Sequence, residues 1–175
     1  MGNSYRRLWP RIQRFCHQLQ PTSAGVQRIE MSSVEALCRV VDADRWSVVL
    51  ESLILHWHVP RQRIPRRDQF QQWVRDWCAT VHYLQEPLRV VEMEPSEWTA
   101  LVRSHPPSTW PDGTISYYDV WWYALRQPWE TQIHRKRVQG DTPAQAVTMV
   151  WARDVLARFL MDAQNLWDRL WAGEE

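Results

Sequence analysis

A chain of 175 residues, 45% of them hydrophobic, is long enough to bury a core without metals or disulfides, which excludes the small stapled scaffolds. Its 21 Lys and Arg against 20 Asp and Glu give a net charge of +1, so no global field gathers nucleic acid or anionic lipid. Binding of either kind has to come from a local patch.

Residues 4–20 carry Leu8, Trp9, Ile12, Phe15, Cys16 and Leu19 at helical steps, and a helix is expected from near Trp9 with Pro10 in its first turn. Ser32 and Glu35 have the spacing of a capping box, which predicts a short helix with Val34, Leu37, Cys38 and Val41 inward. Trp46, Val49, Leu50, Leu53, Ile54 and Trp57 also recur at three- and four-residue steps, so the two segments read as a helical hairpin. A loop rich in Pro and Arg follows. Asp68 then caps a helix with Phe70, Trp73, Val74, Trp77, Cys78 and Val81 on one side.

Residues 88–93 read as a short strand or an extended linker, and Pro95 opens a short helix that stops at His105-Pro106-Pro107. Trp110-Pro111-Asp112-Gly113 is a turn. Residues 114–122 fit a strand or a helix, and helix is the favoured reading because Trp122, Leu125 and Arg126 continue a helical step. Pro128 begins another helix that ends in His134-Arg135-Lys136-Arg137. The chain closes on its strongest pattern: residues 141–171, with Pro143 near the start, Gly173 at the end and a broad apolar face. The expected fold is therefore mainly all-α, an irregular bundle of six to eight helices around the long C-terminal helix, with at most a minor β element. It is expected as a single helical domain over 1–175, with 1–86 and 87–175 as candidate subdomains.

Two biases stand out for function. There are 13 Trp against 3 Phe, and Lys136 is the only lysine among the basic residues. Arg offers a planar fork for phosphate or carboxylate, and Trp offers large area with one N–H, a pairing common at interaction surfaces. Arg61, Arg63, Arg66 and Arg67, with Arg135, Lys136 and Arg137, are candidate nucleic-acid contacts because each group lies at a loop or helix end. Trp121, Trp122, Arg126 and Trp129, with Trp167 and Trp171 in the last turns, are candidate partner contacts. His56, His58, Cys78 and His82 are the weak candidates for a metal, since Cys78 and His82 would share a helix face.

No nucleophile elbow, phosphate-binding glycine loop or zinc-protease helix motif is present. Neither a catalytic residue nor a cofactor is expected. Cys16, Cys38 and Cys78 have no framework spacing, which points to a reducing, cytoplasmic setting. The longest apolar run, residues 48–55, is interrupted by Glu51 and Ser52, and the Arg-rich start lacks a secretory apolar core. The expectation is a non-enzymatic adaptor or accessory subunit that binds another protein or a multi-subunit complex, as in a bacterial, phage or mobile-element nucleic-acid-handling assembly. Direct binding of DNA or RNA is the alternative, and a membrane is not the expected partner. The Met1-Gly2 start and Trp110-Pro111-Asp112-Gly113-Thr114 slightly resemble retroviral Gag matrix domains, which would imply a small helical membrane-peripheral protein.

Overall fold

The segment from Ser47 to Trp57 decides the architecture. Val48, Leu50, Leu53, Leu55 and Trp57 are all fully or almost fully buried, at steps of two, three, two and two. That alternation is a strand, and the single step of three is a bulge. The computed structural model describes residues 2–23, 25–59, 66–84, 86–123 and 129–171, with side chains from Arg6 onward. Among them the chain forms ten strands in one antiparallel sheet and three helices. The expected all-α bundle is wrong, and so is the all-helical form that a matrix-like protein would have.

The elements in order are α1 (Gly2–Gln18), β1 (Gln27–Glu30), β2 (Val34–Ala43), β3 (Ser47–Trp57), α2 (Arg67–Thr80), β4 (Leu88–Glu94), β5 (Thr99–Ser104), β6 (Ser108–Thr109), β7 (Ile115–Tyr123), β8 (Trp129–Val138), β9 (Gln145–Val147), β10 (Met149–Ala152) and α3 (Arg153–Trp171). The main path across the sheet is β1-β2-β3-β8-β7-β5-β4. Strands from both halves of the chain therefore share one sheet, with β3 beside β8 at its middle.

One edge of β3 is shared by two strands. Leu53 to Trp57 pair with Ile133 to Trp129 of β8, whereas Ser47 to Leu50 pair with Ala152 to Met149 of β10. Beyond Ile133, β8 diverges from β3, and β9 pairs with its far half at Arg135 to Arg137. Residues 145–152 thus fill the gap left by the divergence. This is why the helix expected from 141 starts only at Arg153: the open edge of β3 has backbone groups to satisfy, and a strand satisfies them.

The helices lie on one face of the sheet. Trp57 of β3 stacks on Trp167 of α3 at 4.9 Å and meets Trp73 and Trp77 of α2 edge-on at 5.3 and 6.1 Å. Trp122 of β7 also meets Trp73 and Trp77, and Trp129 of β8 meets Trp167 and Trp171. Edge-to-face geometry suits rings whose rims are positive and whose faces are negative. Three buried indoles, Trp73, Trp77 and Trp122, whose N–H groups have no conventional acceptor, meet one another pairwise in this edge-to-face geometry.

Ser32 and Glu35 do not cap a helix. Ser33 instead accepts a place against α3, its N–H donating to Gln164 Oε1 at 3.0 Å and its hydroxyl to Asp168 Oδ1 at 2.8 Å. The expected helices at 34–41, 46–57, 95–103, 114–126 and 128–137 are β2, β3, a turn leading into β5, β7 and β8. The expected helices near 9–20 and 68–84 are present as α1 and α2, and the Asp112-Gly113 turn is present with Gly113 at φ +79°.

Candidate interaction surface

In an antiparallel sheet, directly paired residues point to the same side, so the register identifies what the other face carries. One row across it is Glu30, Glu35, His56, Glu130, Tyr123, Thr99 and Glu94. The neighbouring row is Arg28, Leu37, Ile54, Gln132, Trp121, Leu101 and Glu92. A third row holds His134, Asp119, Arg103 and Arg89. The described rings of α2 and α3 meet the sheet at Trp57, Trp122 and Trp129, which point to the opposite side.

The first row is rich in carboxylates. The imidazole of His56 sits between two of them, with Nδ1 3.4 Å from Glu35 and Nε2 3.4 Å from Glu130, and Arg28 meets Glu35 at 3.3 Å. Hydrogen bonds from Ser96 hold the Glu94 carboxyl below its ordinary range, so this end of the row stays charged. The second row is largely apolar: Leu37, Ile54 and Trp121 are half-buried and Leu101 is covered by its neighbours. The rings of Trp121 and Tyr123 lie parallel, 9° apart in plane with centroids 6.1 Å apart.

The third row is internally paired. Arg103 makes two bonds to Asp119, at 2.7 and 3.2 Å, and its guanidinium lies 4.3 Å over the Tyr117 ring. That hydrogen bonding raises the Arg103 pKa further. Half-burial, reinforced by Lys136, lowers the His134 pKa below its ordinary 6.5. The face therefore presents an apolar and aromatic strip with a carboxylate-rich row along one side, engaged in part by Arg28 and His56, and the Arg103–Asp119 pair along the other.

Of the residues singled out by sequence, His56, Trp121 and Lys136 lie on this face. Trp122, Trp129, Trp167 and Trp171 are buried in the aromatic core, where they pack on one another or on α2. Arg135 points to the helix side of β8, where it binds the buried Glu86 carboxylate at 3.0 Å and Ser116 Oγ at 2.8 Å and stacks on Tyr118 at 4.6 Å. Arg66 is exposed and pairs with Asp68 at 3.2 Å, and Arg67 and Arg137 are exposed. Within the second group, Arg135 and Lys136 point to opposite faces of β8. Arg61, Arg63 and Arg126 lie outside the described residues.

The four metal candidates do not converge either. His56 is engaged by its two carboxylates, His82 turns to the Ala79 carbonyl, and burial pushes the Cys78 thiol up to about 11. Among the described residues no group of three or more His, Cys, Asp or Glu could hold a metal ion. Nor is any described helix long and apolar enough to cross a membrane.

Leu37, Ile54, Leu101, Tyr123 and the carboxylates Glu30, Glu35, Glu130 and Glu94 were missed by sequence reasoning. The signal for them is a period of two. Tyr117, Asp119, Trp121 and Tyr123 alternate with Ser116, Tyr118, Val120 and Trp122, which places the two sets on opposite faces once the segment is a strand.

Comparison with protein-family models, with curated proteins and with solved structures finds no match to this chain.

Proposed function

We propose that the protein is a non-enzymatic binding module that docks a partner protein on the face of its sheet opposite α2 and α3. The observation that carries the reading is the half-buried strip Leu37, Ile54 and Trp121, continued by the covered Leu101 and bordered by Glu30, Glu35, Glu130 and Glu94. Apolar and aromatic side chains held on a rigid sheet supply contact area at little entropic cost, and Trp is prominent among interface anchors. The carboxylates give the strip a sign. A complementary partner segment carries apolar or aromatic side chains together with Lys or Arg, the cations falling over the first row.

The test is selection of binding peptides from a random display library, counter-screened against a variant carrying Trp121→Ser, a half-buried position. The reading expects selected peptides to be enriched in Lys or Arg beside apolar residues, and to lose affinity at least tenfold for the variant while its melting temperature stays within a few degrees. Peptides without that composition, or binding that the variant retains, would overturn it.

A further inference from the structure

Helix α1 has a second surface of opposite sign, made of residues the docking face does not use. Its buried side is Ile12, Cys16 and Leu19, each 0–1% exposed. At 100° per residue, Arg7, Arg11 and Arg14 fall within an arc of about 60° on the opposite side, with Gln18 in the same arc and Arg6 at its flank. All four arginines are exposed. The helix, GNSYRRLWPRIQRFCHQ, contains no Asp or Glu.

Among the described residues, exposed Arg67, Arg75, Arg89, Arg137 and Arg169 also make no ion pair but are spread over four different elements, whereas Arg28, Arg39, Arg103 and Arg158 pair with Glu35, Glu51, Asp119 and Asp162. The arginines of α1 share one helix. Among the described residues its one ion pair is His17 with Asp154 at 3.4 Å, and Arg6, Arg7, Arg11 and Arg14 make no hydrogen bond, ion pair or ring contact. A cationic stripe left uncompensated within an almost neutral chain lacks its counter-charge.

We infer that this stripe binds the phosphate backbone of a nucleic acid. Arg7 to Arg14 spans roughly 10 Å along the helix axis at 1.5 Å per residue, enough to face several phosphates of a duplex that carries one charge about every 1.7 Å. The guanidinium fork matches phosphate oxygens in pairs. An anionic membrane is the poorer fit, because surface helices anchor by an apolar face and that of α1 is already buried against the rest of the fold. An acidic protein is poorer too, since the exposed arc offers no apolar anchor of the kind that interfaces need. Such binding reads charge and spacing, so it is independent of base sequence.

The test is fluorescence anisotropy of the full chain with a labelled random-sequence DNA duplex, titrated at several salt concentrations. The expected result is salt-sensitive binding whose log–log slope is about −3, near −0.9 per phosphate contacted by Arg7, Arg11 and Arg14. The Arg7→Gln, Arg11→Gln, Arg14→Gln variant should bind at least tenfold more weakly with a flatter slope. The corresponding triple Lys variant, which keeps the charge, should retain the slope, and single Arg11→Glu should weaken binding without unfolding. No salt-dependent binding by the wild type, an unchanged slope in the Gln variant, or retention by phosphatidylserine vesicles without duplex binding would each overturn the inference. Because none of these substitutions touches the sheet, their failure leaves the peptide-docking reading to stand or fall on its own experiment.

Discussion

Arg153, the first residue of α3, donates from both Nη1 and Nη2 to the carbonyl oxygen of Leu19, each at 3.2 Å. The same guanidinium also bonds the Cys16 carbonyl and, at 2.9 and 2.6 Å, the carbonyl of Asp44 in the β2–β3 turn. The residue is 2% exposed, and every one of these partners is a backbone carbonyl. A buried cation without a carboxylate is held here by the negative end of the α1 dipole and by the five-donor geometry of arginine. One side chain thus joins the end of α1, a sheet turn and the start of α3.

Replacing Arg153 by Met strips three carbonyls of their donor. We expect urea unfolding to show a loss of about 3–5 kcal/mol, the range for breaking a buried charged network. Arg153→Lys should recover only part of it, because an ammonium cannot reach the three sites as a fork does. A Met variant within about 1 kcal/mol of the wild type would contradict this role.

Trp57 donates from Nε1 to Thr131 Oγ1 at 2.7 Å, both residues being buried. Thr131→Val keeps the shape and removes the acceptor, leaving an indole N–H unsatisfied beside the aromatic core. The expected cost is about 1–3 kcal/mol in denaturant unfolding. Thr131→Ser, which keeps the hydroxyl, should cost less than Val if the hydrogen bond outweighs the lost methyl.

His134 gives a pH signature. Burial first, then Lys136, lowers its pKa below the ordinary 6.5, with Asp119 opposing them. Between the two values the unfolded chain binds more protons than the folded one, so stability falls as pH drops through 6.5 toward the folded pKa and is complete above 6.5. His134→Gln, which does not titrate, should flatten stability against pH in that window. An identical slope in the two proteins would count against the buried imidazole as its source.

The elements legible in the sequence are those where one period dominates. Phe70, Trp73, Val74 and Trp77 form a clear helical stripe, and α2 is there. Leu156, Phe159, Leu160, Ala163, Leu166, Trp167 and Leu170 do the same for α3. In β3 the bulge between Leu50 and Leu53 inserts a step of three into a period of two, and the result imitates a helix.

The strand β7 hides for another reason. Ser116 to Val120 are buried on both faces, the outer ones beneath Arg103 and its neighbours, so hydrophobic alternation disappears. In β8 the alternation Trp129, Thr131, Ile133 is present, but Pro128 before it and the basic run after it look like helix ends. Residues 145–152 depend on an edge of β3 that exists only after β8 has diverged, which no local pattern contains. The docking face was illegible as a consequence: its residues come from seven strands, and its rows exist only once the register is known.

The 13 tryptophans provide the most direct test of the docking face, since each indole N–H gives its own proton–nitrogen NMR signal. Titrating the labelled protein with a selected peptide bearing Lys or Arg beside apolar residues should shift the Trp121 indole first, with Trp57, Trp77 and Trp167 in the core unmoved. Shifts confined to Trp73 and Trp171, with Trp121 silent, would instead place the peptide on the helices and contradict the account.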